Sequence, residues 1–273
     1  MEQKEIILTV DLEFYYPGNN KGEVKDFDSL TIEEKIKYDN GRIEKSISTI
    51  LKFLHKHNQK ITFFVVAELD KFYSKILKEI IANGHEIALH SFDHKENWDI
   101  SHFEKDLEKC SSFQKKYDIV GYRMPRIKIT KNHYPLLKKF KYIYDSSIYG
   151  TRPFSCNGIK VIPVSILPYF KKNIQDVPSP LSKKLLTKTI PFGGGMFAGL
   201  LQKKGKFLID RYISVYKKPP CIFLHSWQIN NSRYPLKSLI KNPSFFSYSL
   251  DCKNMLEFFC ERYKLTRIKD YLK

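Results

Sequence analysis

Two histidines that stand four residues apart, His90 and His94, follow a short apolar run and could bind one divalent metal ion. Imidazole nitrogens are common ligands of such ions, and residues at i and i+4 share one face of a helical turn. The pair needs a further ligand from another part of the chain, because catalytic sites for these ions use several protein donors. A carboxylate at a neighbouring strand end would complete the site.

Two acidic residues are candidates for that ligand. Residues 5–11 form an apolar run typical of a buried strand in a parallel sheet, and Asp11 and Glu13 stand at its end. Side chains at i and i+2 of an extended segment point the same way, so both carboxylates could enter one site. The residues alone leave open which of the two would bind the metal.

Strand and helix patterns alternate through the first half of the chain. Further strands are predicted at residues 60–67, 85–90, 118–123, 141–145, 159–164 and 220–225. Helices are predicted at residues 41–57, 71–82, 101–117, 131–139 and 252–263. This order favours parallel strands with crossover helices, in an open sheet or a closed barrel, and both gather reacting groups at the carboxyl ends of strands. Asp11, His90 and Arg123 fall at such ends, and the polar segment 14–39 is expected to be a loop that could cover them.

Length and composition favour a single catalytic-size domain over residues 1–273. The start of the chain lacks the pattern of a secretion signal, and the longest apolar run, residues 61–67, is too short to span a membrane. Five cysteines without a CxxC pair indicate reduced thiols, so we expect a cytoplasmic protein.

The chain is strongly basic, with 47 Lys and Arg against 29 Asp and Glu and a net charge of +18. The basic residues are scattered, and no helix-turn-helix, zinc-finger or RNA-recognition pattern is present, so a nucleic-acid partner is not expected. A peripheral contact with an anionic membrane surface needs only a diffuse positive field and is the preferred interpretation of the charge.

Three later segments bear on chemistry. Arg123 ends a predicted strand and precedes Pro125, which stops the strand ladder. His225 ends another predicted strand and is followed closely by Trp227. The glycine triplet 193–195 lacks the Lys-Ser/Thr of a phosphate loop, so it indicates a tight turn or a close backbone approach.

In this order the motifs resemble the polysaccharide deacetylase family, also named NodB-homology or carbohydrate esterase family 4. The matching segments are residues 9–13, 84–94, 123–125 and 224–227, and the resemblance spans roughly residues 5 to 230. It implies a distorted (β/α) barrel of about seven parallel strands. It also implies metal-dependent hydrolysis of the N-acetyl group of an amino sugar.

The resemblance assigns roles to individual residues. His90 and His94 would bind the metal together with an acidic residue of the first motif. Asp11 matches the general base, His225 matches the general acid, and Arg123 matches the residue that orients the base. An amide leaves poorly unless its nitrogen is protonated, so these roles agree with the chemistry. The implied metal is zinc, with Co²⁺, Mn²⁺, Ni²⁺ and Fe²⁺ as alternatives.

Three features depart from the usual family pattern. Leu12 occupies the place of a second aspartate in the first motif. One branch of the family has a similar Asp-x-acid motif, so we assign Glu13 as the third metal ligand. Asp11 stays the alternative ligand. Arg126 replaces an aromatic residue after Pro125, which leaves any oxyanion contact there to backbone N–H groups. The paired aspartates of a further family motif are not evident.

Several residues also admit plainer interpretations. Pro125 and Trp227 are predicted to line the substrate pocket, although Trp227 could instead pack at the barrel rim and Arg123 could be a surface ion-pair residue. His85 precedes its strand and is predicted to be structural, and Asp145 is predicted to be a turn acid. Four histidines among charged helical residues are predicted to be solvated: His55, His57, His102 and His133.

We therefore predict a cytoplasmic metal-dependent deacetylase in surface-polysaccharide or glycolipid assembly, acting on a lipid-linked or nucleotide-linked N-acetyl sugar. One alternative is a related amidohydrolase that opens a different C–N bond, in a formamido sugar or a ureide. Another alternative is a carbohydrate-binding relative without catalytic activity.

Overall fold

The computed structural model describes residues 3–14, 30–95, 99–170, 183–230 and 250–273. The strands are β1 (Glu5–Leu12), β2 (Thr62–Val65), β3 (Glu86–Leu89), β4 (Gly121–Tyr122), β5 (Tyr144–Asp145), β6 (Tyr149–Gly150), β7 (Phe154–Cys156), β8 (Ile159–Val161), β9 (Val164–Ser165), β10 (Leu167–Pro168), β11 (Thr189–Ile190), β12 (Cys221–His225) and β13 (Lys264–Leu265). The helices are α1 (Ile32–Asp39), α2 (Arg42–Lys56), α3 (Asp70–Ala82), α4 (Ile100–Tyr117), α5 (Tyr134–Lys139), α6 (Lys183–Lys188), α7 (Gly195–Leu201), α8 (Lys206–Tyr216), α9 (Lys253–Arg262) and α10 (Ile268–Tyr271).

Seven parallel strands lie side by side within the described ranges, in the order β12, β1, β2, β3, β4, β5 and β8. Strand β7 pairs with β8 antiparallel at one edge, and β13 pairs with the start of β1. Helices α2 to α5 each follow one of the strands β1 to β4, because parallel neighbours need a long crossover connection. The predicted α/β fold with a parallel sheet is confirmed.

Gly193 links β9, which follows β8 closely, to β12. Its N–H donates to Ser165 O at 2.9 Å, and its carbonyl oxygen accepts from Phe223 N–H at 2.9 Å. A Cβ atom at this position would lie 2.5 Å from Cys221 O and 2.7 Å from Ser165 N, so only glycine fits without a shift of backbone. The close backbone approach predicted for the glycine triplet is confirmed.

Residues of β1 alternate between two faces of the sheet. Ile6, Leu8 and Val10 pack in the large core between sheet and helices, where α2 buries an apolar stripe at helical spacing. Ile7 belongs to a separate inner cluster with Phe64 and Cys221. The alternation therefore places Thr9 and Asp11 on the inner face of the sheet with Ile7.

The prediction that residues 14–39 form a loop is wrong for the last part of this segment. Residues 32–39 form α1, which begins at a capping box in which Thr31 accepts from Glu34 N–H and Glu34 accepts from Thr31 N–H. The expectation that the segment covers the site concerns mostly residues 15–29, which lie outside the described residues. Across the described ranges, none of the helices combines the length and the apolar character that crossing a bilayer requires.

Candidate active site

Four strands bring their carboxyl ends together around the candidate site. Asp11 lies near the end of β1, in register with His225 at the end of β12. His90 directly follows β3, and Arg123 directly follows β4. Glu13 lies two residues beyond Asp11, on the same side of the extended chain. The arrangement is the one that parallel α/β folds use for reacting groups.

Glu13, His90 and His94 converge on one point. The Oε2 atom of Glu13 lies 2.8 Å from Nε2 of His94 and 3.4 Å from Nε2 of His90. The pair of histidines does not lie on a helical turn, so that part of the prediction is wrong. Residues 90–95 form a loop in which Ser91 and His94 adopt left-handed backbone conformations, with φ values of 62° and 61°. With these two left-handed residues, the loop presents both imidazole rings to Glu13.

The three residues fit one divalent cation. Their ligand atoms all lie within 4.8 Å of one another, and Oε2 of Glu13 is buried and accepts no well-aligned hydrogen bond in the described part of the chain. Two nitrogen donors and one carboxylate oxygen are a common donor set for catalytic zinc. Burial opposes ionisation of Glu13, but the neighbouring His94 and His90 outweigh it and hold the pKa of Glu13 well below its usual value. The carboxylate is therefore in its ligating form.

Groups around the three ligands fix their orientation. Nδ1 of His90 lies 2.8 Å from the carbonyl oxygen of Arg123, which only accepts, so Nδ1 carries a proton and Nε2 faces Glu13. The indole N–H of Trp227 donates to Oε1 of Glu13 at 3.1 Å. Such outer partners set the tautomer of a ligating histidine and the rotation of a ligating carboxylate.

Asp11 is bound to Arg123 in a fully buried ion pair. The distance from Arg123 Nη1 to Asp11 Oδ1 is 2.6 Å, and Arg123 Nη1 also donates to Thr9 Oγ1 at 2.9 Å. The other oxygen of Asp11, Oδ2, lies 3.9 Å from His90 Nε2. Asp11 therefore borders the ligand group with one oxygen while the guanidinium holds the other.

Arg123 is enclosed on all sides and is not a surface ion-pair residue. It is 0% exposed, and it donates to the carbonyl oxygen of Ser146 at 3.1 Å and to Ser146 Oγ at 2.8 Å. Its guanidinium carbon lies 4.0 Å from the centre of the Phe64 ring and 5.1 Å from that of Phe223. These contacts leave the guanidinium one orientation, toward Asp11.

His225 stands beside the same group. Its Nε2 atom lies 3.8 Å from Oε1 of Glu13, and its ring stacks on Trp227 with centres 4.5 Å apart and planes 13° from parallel. Gln228 lies against the other ring nitrogen, with Oε1 3.0 Å from Nδ1. An imidazole nitrogen therefore borders the Glu13 carboxylate from the β12 side of the sheet.

Pro125 and His85 are two further residues for which the sequence predicts a role. Pro125 is buried and opens a short 3₁₀ turn in which Arg126 and Ile127 have positive φ, and its contact with substrate stays a prediction. His85 is structural as predicted: its Nδ1 accepts from Ile61 N–H at 3.4 Å, and burial lowers its pKa to about 4. 

Asp145 is a buried turn acid. It accepts from the backbone N–H of Ser147 at 3.0 Å and from the hydroxyl of Tyr134 at 3.2 Å, and burial raises its pKa to about 6. These contacts agree with the predicted structural role. They also hold the segment that contains Ser146, the main partner of the Arg123 guanidinium besides Asp11.

The prediction of four solvated histidines is half wrong. His55 and His102 are exposed, but His57 is partly buried and His133 is 1% exposed. The His133 ring packs edge-on against Phe103, with ring centres 4.9 Å apart, and lies 2.7 Å from Thr130 Oγ1. Its charged sequence neighbours point outward while the turn before α5 directs this ring into the core.

The parts that four residues play in the site were not predicted, although Gly195 belongs to the glycine triplet and Thr9 to a matching segment. Thr9 and Ser146 bind Arg123, Gln228 contacts His225, and Gly195 lies against the His225 ring. Gln228 stands three residues after His225, the spacing of a capping box, and this is the signal that could have identified it. The other contacts join residues far apart in the chain and have no local signal.

Comparisons with known proteins relate this chain to a family model and to a curated protein. Residues 35–144 match the family model described as polysaccharide deacetylase. A peptidoglycan deacetylase-like protein from Gibberella zeae is 26% identical over 159 residues, which cover 55% of this chain and 46% of that protein. The chain thus spans under half the length of this curated relative.

Two crystal structures of candidate polysaccharide deacetylases have the same fold. The protein from Mycobacterium smegmatis superposes with a TM-score of 0.62 at 15% identity, over 99% of this chain and 89% of that one. The protein from Pseudomonas aeruginosa PAO1 superposes with a TM-score of 0.56 at 14% identity, over 97% and 88% of the two chains. The resemblance inferred from the motifs is confirmed.

Proposed function

We propose that this protein, in which residues 35–144 match the polysaccharide deacetylase family model, is a metal-dependent hydrolase that removes an N-acetyl group from an amino sugar. The observation that carries the proposal is the convergence of Glu13, His90 and His94 beside a buried Asp11–Arg123 pair and His225. Ligands, a proton acceptor and a proton donor are then within one small volume. Metal-dependent amide hydrolysis uses all three.

Glu13, His90 and His94 would hold the cation, with zinc preferred and Co²⁺, Mn²⁺, Ni²⁺ or Fe²⁺ as alternatives. A divalent cation bound there would polarise the acyl carbonyl and make water a stronger nucleophile near neutral pH. Glu13 is a better ligand than Asp11 because its Oε2 atom faces both imidazoles, whereas Asp11 Oδ1 is held by Arg123.

Asp11 and His225 would exchange the protons of the reaction. The attacking water forms the new C–O bond and loses one proton to Asp11, whose carboxylate Arg123 keeps in place. The C–N bond then breaks as His225 Nε2 gives a proton to the departing amine nitrogen. The proton that stays on the attacking oxygen is released to solvent as the acid product ionises, so the products are acetate and the free amino sugar. Asp11 then gives its proton to solvent, and His225 takes one up from solvent.

The substrate that we propose is a lipid-linked or nucleotide-linked N-acetyl sugar in surface-polysaccharide or glycolipid assembly. The net charge of +18 suits a phosphorylated carrier and a peripheral contact with anionic headgroups. Contacts of Pro125 and Trp227 with the sugar belong to the same proposal. The single-domain organisation and the cytoplasmic location stay predictions.

A carbohydrate-binding protein without activity is the second candidate, because catalytically silent members exist among proteins of this fold. A mutant of a CE4-family pseudoenzyme from Bacillus anthracis, with restored activity, superposes with a TM-score of 0.50 at 12% identity over 68% of its chain. The complete set of ligands and proton-transfer groups in the present chain favours an enzyme.

Metal analysis and product analysis test the proposal together. Purified protein should bind one zinc, and the double variant His90→Ala/His94→Ala should bind none while unfolding at the parental denaturant concentration. His55→Ala removes an exposed histidine from α2 and should keep the metal. Zinc-loaded protein should release acetate from nucleotide-linked or lipid-linked N-acetylglucosamine. Release of formate or a ring-opened product would identify the related amidohydrolase, and stoichiometric metal in the double variant would contradict the ligand assignment.

A further inference from the structure

We propose that the outward face of α7 and α8 is a docking surface for an anionic lipid bilayer, and that it brings a lipid-linked sugar to the candidate site. The delivery of substrate rests on the proposed function. The binding of the bilayer concerns the surface alone and can be tested without any activity.

The exposed residues of this segment carry positive charge or are apolar, apart from one serine. Between residues 195 and 218 they are Leu200, Lys203, Lys204, Phe207, Arg211, Ser214, Val215, Lys217 and Lys218. Asp210 is the single acidic residue of the segment, and it pairs with Lys206 at 2.8 Å and with Lys4 at 2.9 Å. The exposed basic residues therefore have no exposed acidic residue of the same segment beside them, and the face is positively charged.

Packing fixes which side of α8 faces outward. Leu208, Ile209 and Tyr212 are buried, and the Tyr212 hydroxyl donates to the carbonyl oxygen of Thr151. On the opposite side, exposed residues recur at the spacing of helical turns, at positions 207, 211, 214, 215 and 218. The helix cannot turn this second stripe inward without exposing the first.

Large apolar side chains stand among the basic residues of this outward side. Phe207 is 68% exposed, Leu200 is 52% exposed and Val215 is 45% exposed. One exposed apolar residue is ordinary for a protein surface. Aromatic and aliphatic side chains set among lysine and arginine are typical of helices that lie in the headgroup region of a membrane, where the charged groups contact lipid phosphates.

Helix α3 shows the contrast with an ordinary surface helix. Phe72 is 41% exposed there, but the neighbouring Lys71 pairs with Glu33 at 2.9 Å. Glu79 is exposed on the same helix as Lys75 and Lys78. Charges of both signs are usual on a helix that faces solvent. The exposed residues of α3 therefore serve as matched controls.

An anionic bilayer fits the α7–α8 face better than other large partners do. A second copy of the chain would set basic residues against basic residues, which repel each other. Nucleic acid would satisfy the charge but would leave Leu200, Phe207 and Val215 without an apolar partner. Anionic phospholipid offers both phosphate groups and apolar chains within one layer.

The face is continuous with the candidate site. Gly195, the first residue of α7, lies against the His225 ring, where a Cβ atom would be 3.0 Å from Nδ1. Leu200 stands five residues further along the same helix, about 8 Å at the usual rise of 1.5 Å per residue. Helix α8 ends at Tyr216, shortly before β12 begins at Cys221, so the chain returns to the start of β12 and Phe207 lies toward the end that carries His225. A bilayer on this face would hold a lipid-linked sugar beside the proton donor.

Sedimentation with lipid vesicles tests the binding. Zinc-loaded protein should bind vesicles of phosphatidylglycerol and phosphatidylcholine in equal parts at least tenfold more tightly than vesicles of phosphatidylcholine, on the order of what two basic residues contribute at such a surface. High salt should remove this preference, because salt screens exposed charges. Equal binding to both kinds of vesicle would overturn the proposal.

Variants locate the binding on the surface of the protein. Phe207→Ser should weaken vesicle binding by about tenfold, and Lys204→Gln/Arg211→Gln by about 30-fold. Phe72→Ser and Lys75→Gln/Lys78→Gln remove the same types of residue from α3 and should bind like the parent. All four proteins should unfold at the parental denaturant concentration, since the replaced side chains are exposed. Equal losses in the α3 variants would show that the overall charge is responsible and would overturn the proposal.

Fluorescence shows which residue enters the bilayer. Phe207→Trp keeps an aromatic ring, and vesicles with brominated acyl chains should quench its added emission, whereas the emission added by Phe72→Trp should not change. Binding without quenching of Phe207→Trp would contradict the docking of this face. A dimer in solution that Phe207→Ser dissociates, in a protein that does not bind vesicles, would identify a second copy as the occupant instead.

Activity separates the docking surface from the proposed function. Lys204→Gln/Arg211→Gln should release acetate from a soluble nucleotide-linked sugar at the parental rate and more slowly from a lipid-linked sugar in vesicles. Vesicle binding through α7 and α8 by a protein without hydrolase activity would support the surface and reject the proposed function. Acetate release by a protein that binds no anionic vesicles would support the function and reject the surface.

Discussion

Replacing Trp227 with phenylalanine should weaken zinc binding although Trp227 is not a ligand. The indole N–H donates to Oε1 of Glu13 at 3.1 Å and so keeps the second oxygen turned toward His94 and His90. Phenylalanine keeps an aromatic ring to stack on His225 and removes only this donor. The carboxylate then has freedom to rotate away from the two imidazoles.

The magnitude follows from the type of bond that is lost. A hydrogen bond to a charged group contributes about 1.5–3 kcal/mol, and each 1.4 kcal/mol changes an equilibrium constant about tenfold. We therefore expect the Kd for zinc to rise by about 10–100-fold, the range seen for outer partners of metal ligands. The effect should appear in the protein alone, without any sugar.

Competition with a chromophoric zinc chelator measures this change in the metal-free parent and variant. Tyr212→Phe is a matched control, because it removes a buried aromatic donor that binds the Thr151 carbonyl instead of Glu13. An unchanged Kd in Trp227→Phe, together with a raised KM for the sugar, would refute the orienting role and would favour the predicted contact of Trp227 with substrate.

Three further predictions separate the roles of the remaining groups. Glu13→Ala should weaken zinc binding more than Asp11→Asn does, whereas Asp11→Asn should chiefly lower kcat. Calorimetric titration with zinc and initial-rate measurements check this order. The reverse order would exchange the roles of the two residues. His225→Ala should keep its zinc and lose about 10²–10⁴-fold in kcat, and acetate release at the parental rate would contradict its role as proton donor. His85→Gln should reduce the loss of folding free energy at acid pH. Burial lowers the pKa of His85 from 6.5 to about 4. The stabilising contribution of the neutral ring is therefore complete above pH 6.5 and is lost as pH falls toward 4. Urea unfolding of parent and variant at both pH values should reveal a difference of up to about 3 kcal/mol, and equal pH dependence would refute the assignment.

The sequence alone was sufficient to predict the α/β fold and to propose candidate residues that the structure brings close together. The apolar run of residues 5–11 identified β1, and the period of two of an extended chain placed Asp11 and Glu13 on one side. Helical spacing of apolar residues identified α2, α3 and α4 within a few residues of their ends. These patterns involve neighbours within one turn or one strand, so they can be recognised before the chain is folded.

The spacing of residues was a less reliable guide to local structure where the backbone adopts uncommon conformations. The spacing of His90 and His94 indicated a helical turn. Instead, Ser91 and His94 have positive φ values in a loop, and this loop also brings the two imidazole rings together. The spacing of His133 among charged residues indicated a solvated ring, but the turn before α5 buries it. Residue type and spacing do not specify such turns uniquely.

The contacts that orient the side chains of the site depend on the tertiary structure. Asp11 meets Arg123 across 112 residues of chain, and Trp227 meets Glu13 across 214. Gln228 is close to His225 in sequence, yet its amide is oriented by Gly195, which the glycine at position 193 brings against β12. Sheet register and the packing of the inner face decide these pairings, because a hydrogen bond needs positions accurate to a few tenths of an ångström that local sequence preferences do not provide.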